Sequence, residues 1–415
     1  MKKKDKDPSA AKKRSATTDR GDRDGALGLL GGLSVDDFLR HYWQRKPLLV
    51  RGARPEFCNG SPVSAQQLFA HAASDTVESR LVKRLSQRWS LEHGPFERLP
   101  ALRTRNWTLL VQGMDLVDDA VHAMLQQFRF IPDARLDDVM ISFATPGGGV
   151  GPHLDSYDVF LLQASGTRRW GIRQIRKPVW QEDTPLRLLA DWQAEQTFDL
   201  GPGDMLYLPP GWGHDGVALE PCTTWSIGFR TPSRQEFLSA WLSDCADRAI
   251  AQVGTRQDER FRDPGRLSNA NPGAIPADLS AALHQWLNDW RADERGFAEH
   301  IDAFIGRHLS EPKAHVFFDP PSPALGLKRF RALASRYGVT LDRRARLLYD
   351  ARHLFVNGEI ALARPSKGLR ELVDHRRWNA AQASKYLVNE VSLHCVYEGY
   401  RNGWLQCVAA KPDTD

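Results

Sequence analysis

The sequence predicts a mainly β core of barrel or sandwich type, with helices after it. Three observations carry this. Short apolar segments separated by Gly and Pro recur from about residue 48 to residue 230. Among them, a glycine-rich turn at Gly147–Gly151 leads directly into a His-x-Asp pair, His153 and Asp155. Beyond Pro232 the pattern changes to the 3–4 apolar spacing of longer helices.

Taken in order, residues 1–25 are rich in Lys, Ser and Asp and hold almost no large apolar side chain, which is the composition of a disordered basic tail. Ser34 is placed to cap a helix carrying Val35, Phe38, Leu39 and Trp43, which Lys46-Pro47 ends. Leu48–Val50 reads as a strand, and Ser64 caps a second helix over 65–73. Strands are expected near 78–82, 89–91 and 107–111, followed by a helix over 116–128. The core then continues with strands at 138–144 and 157–163. Residues 167–172 are read as the hairpin partner of 157–163 across Ser165-Gly166, and a helical excursion is expected at 187–192. Strands near 196–200, 205–208, 216–219 and 223–230 complete it.

After Ser233, a helix runs to about Ile250, and a polar stretch over 252–276 shows no periodic core. Leu279, Leu283, Trp286, Leu287 and Trp290 fall on one helical face, as do Phe297, Ile301, Phe304 and Ile305. In the last third, two strand-like runs, 353–356 and 359–363, flank Asn357-Gly358, the pair that favours a type I′ hairpin.

At 415 residues the chain has room for two or three domains, and 41% hydrophobic and 26% charged residues are ordinary for a globular protein. No apolar run approaches the roughly 20 residues that span a bilayer, and the basic N-terminus lacks the apolar segment of a secretory signal. The five scattered cysteines form no C-x-x-C pair, so reduced thiols and a cytoplasmic setting are expected. The net charge is +5, and nine Lys/Arg against five Asp/Glu in residues 1–24 account for four of it. Direct nucleic-acid binding is therefore not expected of the folded part.

Residues two apart on an extended chain point to the same side, so His153 and Asp155 can reach one point while Leu154 faces away. Residues 199–216 read as a Gly-Pro-Gly-Asp turn, a short buried strand, a Pro-Pro-Gly turn and then His214. Two imidazoles and one carboxylate on one face leave coordination positions open, the facial triad of non-haem Fe(II) oxygenases.

These motifs resemble a known family. Ile141-Ser142-Phe143, Gly147 to Asp155, Tyr157-Asp158-Val159-Phe160, Arg168-Arg169-Trp170 and Leu208-Pro209-Pro210-Gly211 with His214 are similar to the ribosomal oxygenases. Those are JmjC-type 2-oxoglutarate-dependent dioxygenases with a double-stranded β-helix (cupin-like) core, and the likeness is strongest over residues 34–232. It is greatest to the bacterial members, which hydroxylate an arginine of a large-subunit ribosomal protein. The resemblance implies a JmjC-type catalytic domain over 26–232, a helical dimerisation region with a polar linker over 233–320, and a winged-helix-like domain over 321–415. It also implies a homodimer, with Fe(II), 2-oxoglutarate and O2 as cofactor and cosubstrates.

In this reading His153, Asp155 and His214 are the metal ligands and catalytic centre. A buried arginine must hold the distal carboxylate of 2-oxoglutarate. Arg168 and Arg169 are adjacent and so face opposite ways, and by motif position Arg168 is the match, with Arg169 on the outer face. Ser142 occupies a family position that touches the same cosubstrate. Tyr157, Asp158 and Trp212 lie close enough in sequence to the ligands to line the mouth, beside the acidic run Gln181-Glu182-Asp183. A protein N-methyl demethylase would use the same iron, and a non-catalytic cupin or winged-helix regulator would need no arginine clamp.

Overall fold

A computed structural model describes residues 27–86, 88–253, 262, 276–292 and 294–408, with the side chains of 249–253 and 290–297 outside the description. The basic tail, nearly all of the 252–276 stretch, and the Trp290 and Phe297 side chains therefore lie outside the described residues. The chain divides into two units, one of residues up to Pro132 with Leu136–Phe229, the other of Asp133–Arg135 with Arg230 onward.

The first unit is a pair of antiparallel sheets. Its strands are β1 (Leu48–Val50), β2 (Ser79–Leu85), β3 (Arg88–His93), β4 (Trp107–Val111), β5 (Leu136–Ala144), β6 (Val159–Ser165), β7 (Arg168–Gln174), β8 (Gln196–Leu200), β9 (Met205–Leu208), β10 (Trp212–Ala218) and β11 (Cys222–Phe229). The larger sheet runs β1-β9-β6-β11-β5-β4-β2-β3 and the smaller β10-β7-β8, a cupin-like β core. Strand alternation gives each face of the large sheet a distinct task. Val139, Ile141, Phe143, Phe160, Leu162, Tyr207, Trp225 and Ile227 join one apolar core with Phe38, Leu68 and Val121. These last three come from helices α1 (Val35–His41), α2 (Ala65–Ala72) and α3 (Asp119–Gln126). The intervening residues Asp138, Met140, Ser142, Val159, Leu161 and Ser226 face the inner cavity instead. Both faces are thus covered, so β6 and β9 are buried along almost their whole length.

The helix starts follow capping chemistry. The Ser34 hydroxyl accepts from Asp37 N, and Ser64 forms a capping box with Gln67. The third helix starts later than its apolar spacing predicts. Asp118 accepts from Ala120 N and Val121 N and fixes the start at Asp119, while Met114–Leu116 form a separate short 3-10 turn.

Two expectations fail. β7 is not the hairpin partner of β6: β6 pairs with β9 and β11, and β7 with β8 and β10. Gly166, at φ 58°, turns the chain from one sheet to the other. Residues 187–192 form no helix. Their backbone is bonded elsewhere, Leu189 N to Pro152 O (2.8 Å) and Ala190 N to Val179 O (2.8 Å), within a folded-back loop.

The second unit begins with long helices α4 (Arg234–Val253), α5 (Ala277–Ala292) and α6 (Glu294–Ser310). It continues as a winged helix with α7 (Leu327–Tyr337), β12 (Val339–Leu341), β13 (Leu347–Tyr349), β14 (His353–Val356), β15 (Glu359–Ala363), α8 (Lys367–His375), β16 (Arg377–Trp378), α9 (Ala380–Tyr386), α10 (Glu390–Arg401) and β17 (Leu405–Cys407). Asn357 and Gly358, at φ 51° and 89°, make the β14–β15 turn, as a type I′ hairpin requires. Phe330, Trp378, Leu372 and Val396 centre its core.

Candidate functional site: a His-Asp-His centre facing a buried arginine

The glycine turn is held against β10 by its backbone. Gly147 N donates to Ala218 O (2.8 Å), and Ala218 N donates to Gly148 O (2.9 Å). Further along, His153 and His214 exchange both backbone bonds, at 3.0 and 2.9 Å, as directly opposed antiparallel residues. Glycine is needed where these strands close up. A Cβ on Gly149 would lie 2.5 Å from Gly216 O, and Gly151 combines φ 76° with the Leu188 side chain 2.8 Å from where a Cβ would stand.

That pairing brings the two rings to 4.2 Å between centroids. Asp155 lies 4.0 Å from His153 Nε2 and 3.6 Å from His214 Nε2. The three ligand atoms lie within 4.8 Å of one another, the only such group of three among the described residues. His153 Nδ1 bonds to Gly151 O (2.9 Å) and His214 Nδ1 to Trp212 O (3.2 Å). Each ring therefore carries its proton on Nδ1 and turns a free Nε2 toward the shared centre. Burial, reinforced by the neighbouring His153, pulls the His214 pKa down to about 4 against the opposing pull of Asp155. His214 is thus held in the neutral form that binds metals.

Opposite this centre, Arg168 on β7 is 4% exposed. Its Nη1 donates to Ser142 Oγ (3.2 Å), bridging the two sheets, while Nε and Nη2 are buried with no protein partner. An unpaired buried guanidinium fork calls for a carboxylate. Thr108 Oγ1, also buried without a partner, lines the same cavity. Arg169, one residue on, points outward and holds Asp199 through two bonds of 2.7 Å. The cavity has a volume of about 400 Å³ and includes His153, Asp155, His214, Arg168, Ser142 and Tyr157 in its wall. Tyr157 is 40% exposed at the mouth. Its phenol is pushed above the usual range by desolvation first and then by the carboxylates of Asp155, Asp138 and Asp137.

Two expected mouth residues lie elsewhere. Asp158 is fully buried on the opposite side of the sheet, because it follows inward-facing Tyr157. Its carboxylate accepts from Tyr207 Oη (2.6 Å) and Gln44 Nε2 (3.0 Å). Trp212 is not in the cavity wall; it packs against the cluster of Val159, Trp170 and Leu208, and its carbonyl accepts from His214 Nδ1. The acidic run 181–183 is absent from the wall, where Leu186, Arg187 and Leu188 of the same loop stand instead. Thr108, Met140, Asp138 and Arg80 line the cavity without having been expected there. The signal for two of them was available: Met140 and Asp138 are two and four residues before Ser142 on one strand, and so share its face.

A JmjC-domain family profile matches residues 123–237, and a ROXA-like winged-helix profile matches residues 285–406. The chain is 35% identical over 292 residues to the ribosomal protein uL16 3-hydroxylase of Escherichia coli, covering 70% of this chain and 75% of that one. It is 36% identical over 351 residues to a probable ribosomal oxygenase of Haemophilus influenzae, covering 79% and 82%. The X-ray structure of E. coli ycfD superposes with a TM-score of 0.78 at 30% identity, covering 90% of this chain and 98% of that one. The same E. coli ribosomal oxygenase in complex with cobalt and 2-oxoglutarate superposes with a TM-score of 0.75 at 29% identity, over the same shares of the two chains.

Proposed function

The chain belongs to the bacterial ribosomal oxygenases, and from that membership we propose that it hydroxylates ribosomal protein uL16 at an arginine side-chain carbon. His153, Asp155 and His214 hold Fe(II), and Arg168 with Ser142 holds the distal carboxylate of 2-oxoglutarate. The observation that carries this reading is the pairing of a His-Asp-His centre with a buried arginine whose Nε and Nη2 have no protein partner. When bound, iron and 2-oxoglutarate supply the activation of dioxygen that puts a hydroxyl on a C–H bond and releases succinate and CO2.

The protein's own residues set the conditions for that reaction. The Nδ1 bonds to Gly151 O and Trp212 O fix both imidazoles, and the apolar wall of Val159, Leu161 and Trp170 keeps water from the cosubstrate. Tyr157, Asp137 and Asp138 make the wall beyond the triad acidic and aromatic, which suits a cationic side chain. A homodimer fits the second unit. Leu238 and Leu242 on α4, and Leu283 and Leu287 on α5, are 42%, 67%, 45% and 67% exposed at i,i+4 spacing, apolar stripes that a second copy would cover.

The test is intact-mass analysis of ribosomal proteins from cells with and without the enzyme. One added oxygen on one uL16 arginine, lost in the deletion strain, is the expected result. Loss of a methyl group with formaldehyde release would mean demethylation instead, and an unchanged ribosomal set would remove the assignment.

A further inference from the structure

Averaged over the whole chain, the charge conceals a basic region. Residues 320–408 contain fifteen Lys/Arg and seven Asp/Glu, a surplus of eight against +5 for the entire sequence. The excess is concentrated further. Residues 327–341, which form α7 and β12, and residues 376–389, which form β16 and α9, together hold seven Lys/Arg and no carboxylate at all.

The fold places these two segments side by side. Ser384 Oγ on α9 donates to Ser335 O on α7 (2.9 Å), and Thr340 on β12 is paired with Arg377 on β16. Two of the seven cations are already engaged. Arg376 donates to the Asp342 and Ala345 carbonyls, and Arg331 faces Glu390 at 3.6 Å. The other five, Lys328, Arg329, Arg336, Arg377 and Lys385, are all exposed, and among the described residues none has a carboxylate partner. Elsewhere in the unit, Arg344, Arg352, Lys367 and Arg401 each face an Asp or Glu, while Arg364 and Arg370 face none among the described residues.

We infer that this α7/α9 face binds the phosphate backbone of RNA. Unneutralised like charges on one face attract a polyanion. Besides the cations, Ala332 is the exposed residue of α7. Arg329 and Arg336 are seven residues apart, about 10 Å of helix rise, and share one side of α7. RNA, as opposed to another polyanion, rests on the reading above, because a ribosomal protein is met in the company of ribosomal RNA.

The experiment measures fluorescence anisotropy of a labelled single-stranded RNA of roughly 20 nucleotides, longer than one usual site, with the full chain across a salt series. Five backbone contacts predict a log–log slope of about −3.5, hence about a hundredfold weaker binding at 200 mM than at 50 mM salt. Arg329→Gln/Arg336→Gln/Lys385→Gln should reduce the slope to about −1.4 and weaken low-salt binding at least tenfold. Arg352→Gln/Lys367→Gln/Arg401→Gln removes the same charge from paired positions and should change affinity by less than about twofold. Circular dichroism verifies the fold of both variants, and hydroxylation of a uL16 fragment, followed in parallel, should be unchanged in either. Absent RNA binding, equal losses in the two variants, or better competition by polyglutamate than by unlabelled RNA would each overturn the inference. RNA binding with no uL16 hydroxylation would support the RNA surface and sink the substrate assignment alone.

Discussion

Replacing Arg168 by alanine should raise the 2-oxoglutarate requirement at least tenfold while leaving the protein folded. The guanidinium is 4% exposed, with Nε and Nη2 unpartnered and Nη1 on Ser142. Losing a desolvated, charge-assisted contact of this kind costs about 2–5 kcal/mol, and about 1.4 kcal/mol is a factor of ten. A second readout separates cosubstrate binding from structure. Without cosubstrate, Arg168 is a buried charge with no carboxylate in direct contact, Asp215 acting on it only through space, which weighs against stability, so Arg168→Met should melt no lower than the parent. With 2-oxoglutarate at 100 times the parent's Kd, the parent gains about 2.7 kcal/mol and Arg168→Met, binding at least tenfold more weakly, gains no more than about 1.4 kcal/mol. Arg169→Ala, which breaks an exposed pair with Asp199, is the control and should leave succinate production unchanged. The assays are succinate formation against 2-oxoglutarate concentration and thermal melts with and without it. Equal effects at positions 168 and 169, or undiminished stabilisation of Arg168→Met, would refute the reasoning.

Other outcomes follow from the same geometry. His153→Ala and Asp155→Ala should each abolish turnover and lower bound iron, measured by metal analysis, with an unchanged circular dichroism spectrum. The metal-free protein should lose stability as the pH falls. His214 is held near 4 when folded and returns to about 6.5 when unfolded, so the unfolded chain binds the extra proton across that window. Urea unfolding at pH 5 should show about 2 kcal/mol less stability from this group than at pH 7, a difference that His214→Gln removes. Asp158→Ala removes a buried acceptor from the Tyr207 hydroxyl and the Gln44 amide; it should destabilise by about 1–3 kcal/mol with the KM for a uL16 fragment unchanged. Leu242→Glu with Leu287→Glu should convert a dimer to a monomer in light scattering, whereas a parent already monomeric would end the dimer reading.

What the sequence determined by itself was local. Ser34 and Ser64 announce helix starts because a hydroxyl before an apolar period can accept the first free N–H groups, and Asn357-Gly358 announces the wing hairpin because both residues accept positive φ. His153 and Asp155 share a side because an extended chain alternates, and the same rule sends Arg168 inward and Arg169 out. Applied one step further, it would have turned Asp158 away from the cavity and Met140 into it. Only the tertiary structure decided which strands meet. β6 and β7 are neighbours in sequence yet belong to different sheets, since Gly166 redirects the chain and pairing is settled by distant edges. The opposition of His153 and His214, 61 residues apart, and the gathering of Arg329, Arg377 and Lys385 on one face depend on those long-range pairings. Periodicity sets where a side chain points, but what it meets is fixed by the packing of the whole chain.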